Sequence, residues 1–391
     1  MRCAYLFAVY SFSIACGFGG KALPGGSHAE EALVCGHREE LFALPDRAAG
    51  LEEIVIDDVI AGEARPVLAG LGPREDPHSR ASRLTAGLAT LDSEMREALE
   101  RQRELLGRQS HSRTYEIDGR ILHPRDFIRV IDALLSGRYL SDPLRAEAVA
   151  PGGSVRFTGY FSPEVEVRRQ RSEEFRYPIL RRPRDLEGPW PNRRAIELEG
   201  AIDASAHAVA WARHVLDVYA LQLQGSGFVR FGDGTRRYLA YGGTNRYPYQ
   251  SIELALARRD PSVSDLSLRG LRNWIDADPE VRDTITTFNP NYGFFRLADG
   301  EARGAAGLAL SPMISVAADP KHYPLGSVLL ARVPVPGSPG SFDTRLLLVQ
   351  DTGGAINGSQ HLDLYTGVGE RALDLAEVLS TYGEVYLLSP N

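Results

Sequence analysis

The densest group of residues able to do chemistry lies near the C-terminal end: Gln350-Asp351-Thr352-Gly353-Gly354-Ala355-Ile356-Asn357-Gly358, then His361-Leu362-Asp363-Leu364-Tyr365. Glycines this close together let the backbone take positive φ and approach its neighbours tightly. In the second run, strand alternation sends Leu362 and Leu364 to one face and His361, Asp363 and Tyr365 to the other. Such a polar face lines a cleft or meets water. Asp319, ahead of Pro320 and of Pro324-Leu325-Gly326, completes a trio of aspartates. Carboxyl groups gathered this way suit general acid–base chemistry, in which a side chain passes a proton to or from a breaking bond. Spacing alone fits a plainer arrangement as well, a half-exposed strand with Asp351 capping a turn.

Several other chemistries are excluded. The chain has no HExxH, no GxSxG elbow and no GxxxxGK[ST] loop, since Gly19-Gly20-Lys21 is followed by Ala22. No histidine pair at i, i+4 falls on an expected helix. Cys3, Cys16 and Cys35 all lie at the N-terminal end, so a CxxC zinc site is absent. Neither a metal nor an organic cofactor is expected. Asp351-Thr352-Gly353, after the apolar run Leu346 to Val349, resembles the active-site triplet of aspartic proteases, where two such aspartates share one proton. This chain has one such triplet, and Gly354 stands where Ser, Thr or Ala is usual, so a protease would need a symmetric dimer.

These side chains need a scaffold, and 391 residues with 43% hydrophobic and 24% charged composition suffice for two or three globular domains. The net charge of −7 gives no global field to collect nucleic acid. Only Lys21 and Lys321 are lysines, and the arginines run the whole length, a composition bias and not a recognition surface. At the N-terminus, Arg2 precedes an apolar run from Ala4 to Ala15 with the length of a signal-peptide core, too short to span a bilayer. Export is the expectation. Ser13-Ile14-Ala15-Cys16 has the form of a lipoprotein cleavage box with Ser13 where Leu is usual, so Cys16 is a candidate lipid anchor.

Leu88, Leu91, Met95 and Leu99 recur at helical spacing within 84–109, and Phe127, Ile128, Ile131, Leu134 and Leu135 do so within 123–136. Pro124 suits a first helical position and Gly137 a stop. Past Gly152-Gly153 the texture changes to short alternating runs with Gly, Pro and aromatics between them, the mark of β-structure. The segments FRYPILRRP, AHAVAWA, YALQLQGSGFVRF and RRYLAYGG read as strands, with FGDGTRR as a hairpin turn. Helical periodicity returns from Val263 to Ile275, capped by Ser262 or Ser264. From Met313 onward, MISVAAD, SVLLARV, TRLLLVQD, QHLDLY and EVYLL read as the strands of a small closed barrel.

Six ordered blocks between Arg156 and the C-terminus, FTGYFSPEVEVRR, FRYPILRRP, LQLQGSGFVRFGDGTRRYLAYGGTNRYPYQSI, FNPNYGFF, SVAADPKHYPLGS and QDTGGAINGSQHLDLYTGVG, resemble the membrane-bound lytic murein transglycosylase A family. The last two resemble its three-aspartate double-psi β-barrel module, with Asp319, Asp351 and Asp363 at the three positions. The resemblance implies a mainly β fold with helical elements, in which a β-rich second domain is inserted into the barrel domain and a groove runs between them. Carried onto this chain, residues 1–40 are signal peptide and linker, 41–162 with 266–391 form domain one, and 163–265 form the insert. The spacing from Asp351 to Asp363 is one residue longer than in some members, and Gly358-Ser359-Gln360 is the loop that has to absorb it.

The activity implied is cleavage of the β-1,4 bond between N-acetylmuramic acid and N-acetylglucosamine in peptidoglycan without water, leaving a 1,6-anhydromuramic end. Asp363 matches the single acid/base. A standard glycosidase needs two carboxylates. Here the sugar's own 6-hydroxyl attacks, and oriented intramolecular attack reaches effective molarities on the order of 10⁵ M. Asp363 then has to hold a proton at rest, through desolvation and a nearby like charge such as Asp351. Asp351 and Asp319 are expected to order the psi loops by accepting backbone N–H bonds. Thr158, Tyr160 and Phe161 are expected on one groove wall and Gln224, Gly225, Ser226 and Tyr241 on the other. For Tyr160 and Tyr241 the plainer place is barrel core with a satisfied hydroxyl, and QGSG equally fits a tight crossing. Arg168, Arg169, Arg171, Arg176, Arg181 and Arg182 either meet peptide-stem carboxylates or form a solvated hairpin. The expected partner is the peptidoglycan strand, bound by a monomer with no nucleic acid. A wall-binding protein that has kept the groove and lost catalysis is the alternative of a different class, and the intact Asp363 argues against it.

Overall fold

The computed structural model describes residues 91–391 except 110–112, 118, 143, 185–188, 260–262, 264, 278, 336–337, 339–340 and 355. The apolar N-terminal run, the three cysteines and the start of the first expected helix lie outside the described residues. Helix α1 (Ser93–Gly107) begins where the Asp92 carboxylate accepts the Met95 N–H at 2.7 Å, satisfying an amide that has no partner within the helix. Its buried stripe is Met95, Ala98, Leu99, Gln102 and Leu106. Strands β1 (Tyr115–Ile117) and β2 (Arg120–Leu122) form a hairpin, followed by helix α2 (Pro124–Ser136). Pro124 opens α2 and Gly137 closes it in the left-handed region at φ 75°, as the sequence predicts.

After β3 (Arg145–Glu147), β4 (Ser154–Ser162) carries the first of the functional side chains. At Pro163 the chain leaves for a second sheet built from β5 (Glu164–Arg168), β6 (Tyr177–Leu180), β7 (Ala208–Ala212), β8 (Gly227–Phe231), β9 (Arg236–Thr244) and β10 (Gly293–Ala298), ordered β10-β9-β8-β5-β7-β6. β8 and β9 are joined through the turn at Gly234, where FGDGTRR places it.

One expected strand is a helix. Residues 219–231 read as a single extended run, but their first half belongs to α3 (Val215–Gln224), capped by His214 and ended by Gly225 at φ 72°. Every residue of α3 except Asp217 is buried. Val215, Leu216, Tyr219 and Leu223 pack into one cluster and Val218 and Leu221 into another, so no polar stripe marks the helical period. Helices α4 (Ile252–Arg259) and α5 (Leu268–Ala277) follow. α5 starts later than the sequence predicts, because Ser267 is the cap: its Oγ accepts the Gly270 N–H at 3.0 Å. The second sheet extends to Ala298, past residue 265, because β10 pairs with β9.

The chain then returns through β11 (Ser315–Ala317), β12 (Val328–Pro334), β13 (Phe342–Asp351), β14 (His361–Val368), helix α6 (Glu370–Val378) and β15 (Ser380–Ser389). The sheet order is β12-β13-β11-β14-β4-β15-β3, and a further β12–β15 pairing closes six of these strands into a barrel. β11 runs parallel to β13, and β14 parallel to β4. The barrel core is aliphatic, with Val316, Val328, Leu330, Leu347, Leu348, Leu362, Leu364 and Leu388 among its buried side chains.

Candidate active site

β14 and β4 lie side by side with Asp363 opposite Thr158 and His361 opposite Arg156. Leu362 and Leu364 enter the aliphatic core, so His361, Asp363 and Tyr365 take the other face, as alternation predicts. That face is not open to water: Asp363 is 0% exposed and Tyr365 1%. Thr158 Oγ1 donates to Asp363 Oδ1 at 2.7 Å and lies 2.8 Å from His361 Nε2. Burial, with Arg156 beside it, pulls the His361 imidazole down to about 4, so the ring is neutral at pH 7.

The other two aspartates hold backbone. Asp351 Oδ1 accepts from Ala305 N at 2.8 Å and Thr352 N at 2.9 Å, and Oδ2 accepts from the Tyr160 hydroxyl at 3.0 Å. Asp319 Oδ1 accepts from Lys321 N at 3.0 Å and Oδ2 from Gly358 N at 2.9 Å. The loop before β14 is therefore tied at both sides, since the Tyr323 hydroxyl donates to Ser359 O and Arg156 N to Gln360 O. Gly358 sits there at φ 82°, a conformation that costs glycine little and other residues more. Beyond this loop Asp363 pairs in register with Thr158.

Tyr160 is core and not wall. Its ring is buried beside Tyr365 at 5.2 Å between centroids, and desolvation together with Asp351 and Asp363 pushes its hydroxyl well above the usual tyrosine range. Phe161, expected beside it, turns to the opposite face and packs against Ala372, Leu373 and Ala376 of α6. Neighbours on one strand cannot share a wall, and that parity is the reason. Gln224 and Gly225 are buried and Ser226 half-buried, so QGSG is the C-terminal turn of α3. Gln224 Oε1 accepts from Phe161 N at 3.3 Å, which joins α3 to β4. Tyr241 is half-buried on β9 opposite Phe295. Five of the six arginines have partners within the protein: Arg168 pairs with Glu166, Arg169 with Asp233 and Arg176 with Asp283, Arg181 donates to Ala206 O, and Arg182 stacks over Trp190. Those arginines are held by the protein itself.

Two family models match, the MltA specific insert domain over residues 156–296 and the 3D domain over 314–389. Against membrane-bound lytic murein transglycosylase A of Escherichia coli K12 the chain is 34% identical over 256 residues, covering 63% of itself and 69% of that protein. The chain belongs to the membrane-bound lytic murein transglycosylase A family. The Vibrio cholerae member is 39% identical over 245 residues, which are 60% of this chain and 66% of that one. The chain thus spans about two thirds of the length of the curated relatives it matches. The crystal structure of the Escherichia coli family member with bound chitohexaose superposes with a TM-score of 0.64 at 29% identity, covering 76% of this chain and 89% of that one.

Reading the sequence of this family member misses one connection. Gln102 on α1 is fully buried, donates to Gly326 O at 2.8 Å and Ser327 O at 3.2 Å, and accepts from Gln350 Nε2 at 3.0 Å. Gln350 in turn accepts from Ser315 Oγ at 2.6 Å. A signal was available: Gln102 occupies the apolar stripe of α1, where a polar side chain has to find buried partners.

Proposed function

We propose that this chain cleaves the β-1,4 bond between N-acetylmuramic acid and N-acetylglucosamine in peptidoglycan without water, giving 1,6-anhydromuramic products, with Asp363 as the single acid/base. The observation that carries this is the division of labour among the three aspartates. Asp319 and Asp351 have both carboxylate oxygens committed to backbone amides or to Tyr160. Asp363 alone of the three sits fully buried on the strand pair β4–β14 with a side-chain hydroxyl as its donor.

Asp363 first protonates the glycosidic oxygen, which leaves as the hydroxyl of the departing sugar. The carboxylate then takes the proton of the muramic acid 6-hydroxyl as that oxygen attacks its own C1. Bonds and protons balance, and the carboxyl ends as it began. A hydrolytic retaining mechanism needs a second carboxylate about 5 Å away and free to attack. Asp351, committed as it is, does not meet that need. The same commitment counts against a shared-proton aspartate pair of the protease kind.

The glycan strand lies, in this reading, between the barrel and the second sheet, with domain one taking in 41–162 and the barrel and domain two the inserted sheet. Thr158 stands at the floor, while Gln224, Gly225, Ser226 and Tyr241 flank the opening. The relative with bound chitohexaose supports a glycan as the ligand. Export with anchoring through Cys16 would place the monomer at the wall.

The test is mass spectrometry of soluble muropeptides released from purified peptidoglycan by the full chain and by Asp363→Asn. Products lighter than the hydrolytic ones by one water, absent with the variant, are the expected result. Hydrated products, undiminished release by Asp363→Asn, or no release by the wild type would overturn the proposal.

A further inference from the structure

We infer that His361 and Thr158 form an oriented donor chain that fixes Oδ1 of Asp363 as a permanent acceptor and leaves Oδ2 as the oxygen that carries the acid proton. This rests on the reading of Asp363 as the acid/base. Two contacts define the chain: His361 Nε2 to Thr158 Oγ1 at 2.8 Å, and Thr158 Oγ1 to Asp363 Oδ1 at 2.7 Å. A hydroxyl has one proton to give, and a neutral imidazole has one N–H and one bare nitrogen. The directions of the two bonds are therefore coupled.

Apart from one in which Thr158 Oγ1 accepts from both Nε2–H and a protonated Oδ1, which cannot persist once Asp363 is a carboxylate, two arrangements satisfy both contacts. In one, His361 Nε2–H donates to Thr158, and Thr158 donates to Oδ1. In the other, a proton on Oδ1 is given to Thr158, and Thr158 donates to a bare Nε2. The second arrangement exists only while Asp363 is protonated, and it ties up the proton that the sugar oxygen needs. The first holds in both states of the carboxyl, because Oδ1 accepts throughout while the proton leaves and returns at Oδ2. A cycle that passes through a carboxylate requires a donor at that carboxylate, and Thr158 can serve only if His361 supplies the proton behind it. The groups facing His361 are Arg156 and Thr158 on β4 and Asp363 on its own strand. Arg156 disfavours a second proton on the ring, so His361 stays a neutral single donor. His361 thereby acts as a positioning residue, two hydrogen bonds from the reacting atoms.

The tautomer is measured directly, without turnover, by ¹⁵N nuclear magnetic resonance of the full chain labelled at histidine, with His361→Gln used to assign the signal. The inference expects Nε2 protonated and Nδ1 bare at pH 7, and the reverse would overturn it. Kinetically, Thr158→Val and His361→Phe should each lower kcat by about ten- to a hundred-fold, the range for losing a hydrogen bond to a charged group, with KM within about two-fold. The double variant should be no slower than the worse single one, since the chain acts as one unit. Thr158→Ser and His361→Gln, which keep a donor in place, should restore most of the rate. Multiplicative losses, or full activity of His361→Phe, would overturn the inference. A wild type with no turnover would refute the role of Asp363 and leave the donor chain to be decided by the imidazole spectrum.

Discussion

Gln102→Leu tests how the N-terminal helix is fastened to the barrel. The substitution keeps the side chain's approximate volume and removes three hydrogen bonds at once. Gly326 O and Ser327 O lose a donor, and the fully buried Gln350 amide loses its acceptor. An orphaned buried N–H costs about 1–3 kcal/mol, and each carbonyl costs less, because a second lone pair stays available. The leucine returns about 1.5 kcal/mol or more by burying apolar surface. The expected net loss is about 2 kcal/mol. Trp190, Trp211 and Trp274 all lie outside the barrel strands, so tryptophan fluorescence follows the second sheet and its helices while far-ultraviolet circular dichroism follows the whole chain. Urea unfolding monitored by circular dichroism should show a lower midpoint with little change in slope. A loss below about 0.5 kcal/mol, less than a single typical hydrogen bond contributes, would refute the reasoning that this glutamine fastens α1.

Acid stability should depend on His361. Its folded value of about 4 lies below the ordinary histidine value of 6.5, so between those limits the unfolded chain binds a proton that the folded chain does not. Stability from this group is complete above pH 6.5 and is lost as pH falls towards 4, by up to about 3 kcal/mol. The loss between pH 7 and pH 4 should shrink by a comparable amount in His361→Gln, and equal losses in the two proteins would count against it. Gly159→Ala should destabilise by about 1–3 kcal/mol and reduce turnover, because a Cβ there would lie 2.7 Å from Ala376 Cα and push α6 off the strand that carries Thr158. Gly107→Ala, with nothing within 4 Å, is the neutral control in the same thermal melts.

Much of this was legible in the sequence for physical reasons. Helix α2 has a half-buried surface, so its period shows, and Pro124 and Gly137 mark its ends. The barrel strands read as short apolar runs because most of their residues are buried on both faces. α3 was illegible because it packs into apolar clusters on two sides, which erases the period on which a helix assignment depends. The resemblance puts Phe161 on the same wall as Tyr160, although alternation already separates the two. The aspartates were visible as a group, but their separate roles depended on partners such as Ala305 and Gly358 that no spacing rule brings together. The bond from Thr158 to Asp363 spans 205 residues, and the one from Gln102 to Gln350 spans 248.

The placement of β4 between β14 and β15 has a consequence for when the chain becomes an enzyme. β4 passes straight into the second sheet at Pro163 and finds its barrel neighbours only in β14 and β15, after that whole sheet has been traversed. The barrel seam between β12 and β15 closes later still, with residues up to Leu387. Such non-local pairing forms slowly, after the local helices and hairpins. A chain interrupted anywhere before β15 therefore lacks both the seam and one flank of the strand that carries Thr158. The strand that carries Thr158 therefore gains its full set of barrel neighbours only when β15 docks, so the site is completed by a strand that carries none of its side chains.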